Sequence, residues 1–121
     1  MATRAEAIKY LRSIDGMQEG DDGLFKYVVN WDEDGRSQLV LLHVVDEFII
    51  LTSGFAEKDA ISAHKALELA VIFGVTDTGS FYALRHVLFL EDLDESEIDN
   101  SVHLLAARAD ILESQVGGDA L

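Results

Sequence analysis

Cysteine and proline are both absent from the 121 residues, basic residues are scarce, and no long apolar run occurs. Without cysteine there are no disulfides and no thiolate-bound metals, and a small disulfide-stapled secreted scaffold is disfavoured. Without proline there are no proline-rich linkers, although the total lack has no evident physical cause. No apolar stretch approaches the roughly 20 residues needed to span a bilayer. The amino-terminal Met1-Ala-Thr-Arg-Ala-Glu6 lacks the basic-then-apolar order of a secretory signal, so a soluble cytoplasmic protein is expected. Only 9 lysines and arginines stand against 23 acids, for a net charge of −14. Such a surface repels nucleic acid and anionic lipid, so neither is an expected partner. It suits solubility, basic partners or adaptation to salt; aspartate outnumbers glutamate and lysine is rare.

Apolar residues are abundant, at 49% of the chain, which predicts one domain over residues 1–121 with a real core. The chain is organised around Leu24 to Phe55, read as three strands. In the first, Phe25, Tyr27, Val29 and Trp31 alternate onto one face. Asp32-Glu-Asp-Gly35 then forms an acidic, glycine-ended turn. Gln38 to Val45 and Phe48 to Leu51 are almost continuously apolar, so each face of these strands must be covered by something. Helices, or a second copy of the chain, are the available covers.

Thr3-Arg-Ala-Glu6 fits a capping box for a helix to about Ser13, and Gly16 to Gly23 reads as a loop. A second helix is predicted from about Glu57 to Phe73, with alanines at 60, 63, 66 and 70. Its apolar residues surround most of the cylinder, predicting burial on several sides. Gly74 to Ser80 carries turn chemistry, and Phe81 to Glu91 is one long strand or two bent near Arg85-His86. Acids at Asp94, Glu95 and Glu97 open a last helix with a stripe at Ile98, Val102, Leu105, Ala109, Leu112 and Val116. Residues 117–121 read as a frayed tail. The class is α+β, an antiparallel sheet with packed helices in the order α-β-β-β-α-β(-β)-α.

No catalytic constellation is visible. His43, His64, His86 and His103 stand apart, with none of the pair spacings that zinc sites use. His43 reads as a hydrogen-bonded core residue and His64 as part of a helix contact. Asp32 to Gly35 lacks calcium-loop spacing, and Gly74 to Gly79 is too poor in glycine for a phosphate loop. A non-enzyme without cofactor or metal is therefore expected. Phe55, Phe73, Phe81 and Tyr82 cluster at element junctions, and Trp31 ends the first strand. Core packing explains such aromatics, unless several are exposed together as a partner site.

This order of elements resembles the class I type III secretion chaperone fold, and more closely its non-secretory relatives, the YbjN-type proteins. The resemblance runs from about Thr3 to Val116. It rests on Phe25-Lys-Tyr-Val-Val-Asn-Trp31 before an acidic turn, an apolar second strand, and Gly79-Ser-Phe-Tyr-Ala-Leu84 after the alanine-rich helix. The Gly74–Leu93 region is shorter than in the family pattern. The resemblance implies a homodimer that binds protein or peptide clients, or a regulator on that scaffold. Carried over, it makes Ala63, Leu67, Ala70, Phe73 and Phe81 candidate dimer contacts, and Trp31, Phe55 and Tyr82 candidate peptide contacts. The acidic charge favours clients with basic residues beside apolar anchors. The alternative is a structural or assembly subunit with one permanent partner.

Overall fold

The computed structural model describes residues 3–31, 35–91 and 93–117. The Asp32–Asp34 part of the acidic turn and the tail beyond Gly117 lie outside the described residues. The chain forms α1 (Arg4–Ser13), β1 (Gln18–Glu19), β2 (Leu24–Trp31), β3 (Arg36–Val44), β4 (Phe48–Glu57), α2 (Ala63–Ala70), β5 (Gly74–Asp77), β6 (Phe81–Phe89) and α3 (Glu95–Gly117). The strands make one antiparallel sheet in the order β1-β2-β3-β4-β6-β5. This is the expected α+β class and order, with two short strands added.

Local signals account for several elements. The Thr3 hydroxyl accepts from the Glu6 amide at 3.1 Å and donates to the Glu6 carboxylate at 2.9 Å, which starts α1. Asp94 does the same work for α3, accepting from the Glu97 amide at 3.0 Å. Five of the six stripe residues on α3 are fully buried, and Val116 is partly buried against the same core. α3 packs on β3, β4 and β6, and its stripe shares one core with Val40 and Leu42 of β3, Ile49, Leu51 and Phe55 of β4, and Leu84 of β6.

Three expectations are corrected. The glycine loop from Gly16 to Gly23 contains β1, which pairs with β2 through Gln18 and Lys26. The second helix is eight residues, not Glu57 to Phe73. Its start is late because β4 continues to Glu57 in register with Phe81, leaving Ser62 to cap the helix by accepting from the Lys65 amide at 3.1 Å. It ends early because Val71 takes a positive φ of 57°. Gly74 to Asp77 then forms an edge strand on β6 rather than a turn. The turn is confined to Thr78–Ser80, where the Gly79 amide donates to Asp77 at 2.8 Å. Phe81 to Phe89 is one strand, unbent at Arg85-His86 because both residues stay in register with Thr52 and Leu51.

All three helices join one core on one side of the sheet. Ala7 and Leu11 of α1, Ala66 and Ala70 of α2, and the α3 stripe share it with the inward residues of every long strand. The Tyr10 hydroxyl donates to Asp99 at 2.9 Å and ties α1 to α3; burial, then that carboxylate, pushes the phenol up to about 12. The Arg108 guanidinium donates to the Leu69 carbonyl at 3.3 Å and ties α2 to α3.

Candidate functional site

Strand periodicity places alternate residues on opposite faces, so the side away from the helices follows from the register. Phe48 faces Phe89 at one end of it, their rings edge to face at 5.8 Å. Next come His43, Ile50 and Val87, then Lys26, Leu41, Thr52 and Arg85, then Val28 and Leu39, then Phe81. Among the described residues no helix packs on this face. Phe89 is 67% exposed, and Val28, Leu39 and Phe81 are also exposed. The face is therefore apolar with two cations, Lys26 and Arg85, across its middle. Acids flank it: Asp46, Glu47 and Glu91 lie in the turns at the Phe48 end, and Glu57 pairs with Phe81 at the other.

Within this face β3 and β4 part. They pair only from Leu41–Val44 against Ile49–Thr52. Beyond that, a bulge between Gly54 and Ala56 keeps β4 with β6 while β3 stays with β2. Side chains bridge the gap where backbone bonds have ended. Gln38 Nε2 donates to Ser53 Oγ at 2.9 Å and to the Gly54 carbonyl at 2.7 Å, and Ser53 Oγ donates to the Leu39 carbonyl at 2.8 Å. A cavity of about 350 Å³ remains beside them, lined by Leu39, Leu41, Phe55, Phe81, Gln38 and Glu113 among others. The Phe81 ring packs over Gly54, where a β-carbon would stand 3.0 Å from two ring carbons. Burial pushes the Glu113 carboxyl up, with Asp110 adding to the effect and Gln38 and Arg36 opposing it.

The sequence-derived candidates are dispersed by the fold. Ala63 and Leu67 lie exposed on α2, Leu67 at 63%, with Val71 and Ile72 exposed after it. Ala70 and Phe73 turn into the chain's own core, so they are removed as dimer contacts; Phe73 packs edge to face on His86 at 5.7 Å. Phe81 sits on the open sheet face instead. Phe55 and Tyr82 are buried, and Trp31 is half-buried against the helical side, so none of the three presents an exposed peptide-binding surface. His43 is exposed on the open face rather than in the core. His64 is exposed and pairs with Glu68 of its own helix at 3.0 Å rather than making a helix contact.

On the open sheet face, Val28, Leu39 and Phe89 are exposed apolar residues that sequence reading missed. Their signal was parity within the continuous apolar runs. Among the described residues no three histidine, aspartate or glutamate side chains converge to hold a metal, and no helix is long and apolar enough to cross a membrane.

No family model matches the chain, and no curated protein does. Among solved structures it is similar to an uncharacterized protein from Methanothermobacter thermautotrophicus, with 18% identity over 93% of this chain and 92% of that one, at a TM-score of 0.47.

Proposed function

We propose that this chain is a non-enzymatic protein-binding module, chaperone-like or regulatory, which holds extended segments of other proteins on its open sheet face in the cytoplasm. The observation that carries the reading is the apolar face across β2, β3, β4 and β6, with all three helices on the other side. Large exposed apolar patches mark interaction surfaces. Each buried leucine- or phenylalanine-sized anchor contributes roughly 1.5–3 kcal/mol. Three or four anchors offset the roughly 2–5 kcal/mol of ordering a flexible segment and leave micromolar binding. This reading groups the chain with the YbjN-type and class I secretion chaperone proteins.

The charge layout specifies the client. The net −14 steers basic segments toward the molecule, and acids stand at both ends of the face. Lys26 and Arg85 disfavour a cation at its centre. The preferred pattern is apolar in the middle with lysine or arginine on the flanks. A peptide array comparing flank-basic, centre-basic and scrambled polar sequences at two salt concentrations tests this. Flank-basic peptides should be captured best, and modestly less at high salt. Equal capture of scrambled polar peptides would remove the client-binding reading and leave a subunit with one permanent partner.

The exposed row Leu67, Val71 and Ile72 supports a homodimer joined through α2, which leaves the sheet face free. Light scattering at micromolar concentration should then give twice the 13.3 kDa chain mass. Leu67→Asp should return it to the monomer, because a charge in the seam would have no partner. A wild-type monomer would refute the dimer.

A further inference from the structure

We infer that the open sheet face selects client segments with a glutamate or aspartate at their centre, the carboxylate being held between Lys26 and Arg85 over Leu41 and Thr52. Selection of this kind rests on the client-binding reading and adds the one residue that the middle of the face accepts.

The register places these groups. Gln18, Lys26, Leu41, Thr52, Arg85 and Gly74 are successive partners, so one row crosses all six strands of the sheet. It holds two cations and a hydroxyl and no acid. The adjoining rows, Val28 with Leu39 on one side and Leu24, His43, Ile50 and Val87 on the other, hold no acid either. Opposite and diagonal neighbours are the ones within side-chain reach on a sheet, so the face itself gives neither cation a counter-charge. Elsewhere the scarce cations are engaged. Arg12, Arg36, Lys58 and Lys65 pair with acids, and Arg4 and Arg108 donate to backbone carbonyls. Lys26 and Arg85 are exposed and form no ion pair among the described residues, in a chain where acids outnumber bases by 23 to 9.

Three strand spacings separate the two cations, about 14 Å between α-carbons. Lysine and arginine are long enough to lean inward from either side and meet one carboxylate above Leu41 and Thr52. A segment that covers the row takes both cations out of water, which is costly unless it brings an acceptor. A carboxylate meets that need with charge-assisted hydrogen bonds, and the guanidinium fork suits it. An apolar or amide side chain at the same place leaves the charges uncompensated. The flanks follow from the same row, since Glu47 and Glu57 each stand five residues from Thr52 along the chain. An extended client therefore carries its acid at the centre and a lysine or arginine about five residues to either side.

Fluorescence anisotropy of labelled, capped peptides titrated with the full chain is the test. The peptides share lysine flanks and a leucine and valine interior, and differ only in glutamate, glutamine or lysine at the centre. The glutamate peptide should bind about tenfold tighter than the glutamine peptide, as expected for charge-assisted hydrogen bonds, and the lysine peptide should bind weakest. The gap between glutamate and glutamine should narrow as salt is raised. Lys26→Gln combined with Arg85→Gln should erase that gap while the glutamine peptide still binds, which shows the face intact. Lys26→Glu combined with Arg85→Glu should turn the preference toward the lysine peptide. Equal capture of the glutamate and glutamine peptides, or a preference that survives the double glutamine variant, would overturn the carboxylate assignment and leave client binding standing. Competition by decanoate without any glutamate preference among the peptides would also overturn it, in favour of a fatty-acid head group. Capture of none of the peptides would remove both the assignment and the client-binding reading.

Discussion

Phe55→Ala should lower the unfolding free energy by about 3–5 kcal/mol, the cost of deleting a buried aromatic ring and leaving its cavity. That is a large share of the roughly 5–15 kcal/mol by which domains of this kind are stable. The ring is 1% exposed, inside the bulge between Gly54 and Ala56, and belongs to the core that α3 covers. Neighbouring atoms cannot close over its absence easily, because β4 is held by β6 on one side and by the Gln38 bridge on the other. Phe89→Ala is the matched comparison. Its ring is on the open face, so the change should cost less than about 1 kcal/mol of stability and act on partner binding instead. Urea unfolding at constant m-value reads both. A loss below about 1 kcal/mol for Phe55→Ala would mean that the two sheet faces are assigned the wrong way round.

Gly23→Ala should be nearly as damaging, at about 3 kcal/mol. Gly23 has a φ of +80°, where a side chain costs roughly 1–3 kcal/mol. An added β-carbon would also lie 2.6 Å from the Val44 carbonyl oxygen and 2.8 Å from the Arg4 guanidinium. The first of these is backbone, so the strand itself must move. At stake are the Val44 amide bond to the Gly23 carbonyl at 2.9 Å and the Arg4 contact to the Val44 carbonyl at 3.4 Å, which fasten β3 to the start of β2 and to α1. Gly35→Ala isolates the conformational part. Gly35 has a φ of +64° with nothing within 4 Å of the added atom among the described residues, so about 1–2 kcal/mol is expected. Thermal or urea unfolding of the pair should separate them clearly. Equal losses would show that the close approach at Gly23 relaxes at no cost.

The contrast between these two glycines bears on what could be read from the chain. Both look alike in sequence, as turn residues beside acids. Only the packing of Val44 and Arg4 against one of them makes the difference. The candidate site divides in the same way. Trp31, Phe55 and Tyr82 stand out in the sequence as aromatic residues near element junctions, whereas Val28 and Leu39 lie within apolar strand runs. Register buries Phe55 and Tyr82 and exposes Val28 and Leu39, because one step along a strand changes face and the bulge at Gly54/Ala56 adds another step.

What the sequence by itself determined was local. The hydroxyl of Thr3 and the carboxylate of Asp94 start α1 and α3 because a cap is made within three residues. Alternation in Phe25-Lys-Tyr-Val-Val-Asn-Trp31 and the stripe from Ile98 to Val116 state their inward faces because strand and helix periods are short-range. The α+β class followed from those elements. Only the tertiary structure decided that Glu57 belongs to a strand, since that depends on pairing with Phe81 on the far side of α2, and that Gly74 to Asp77 is a sheet edge, since its hairpin with β6 is held in place by the pairing of β6 with β4. It also decided which side of β3 and β4 stays uncovered and that these strands part beside Gln38. Strands apolar on both faces carry no local mark of which face the helices will take, so that choice belongs to non-local packing.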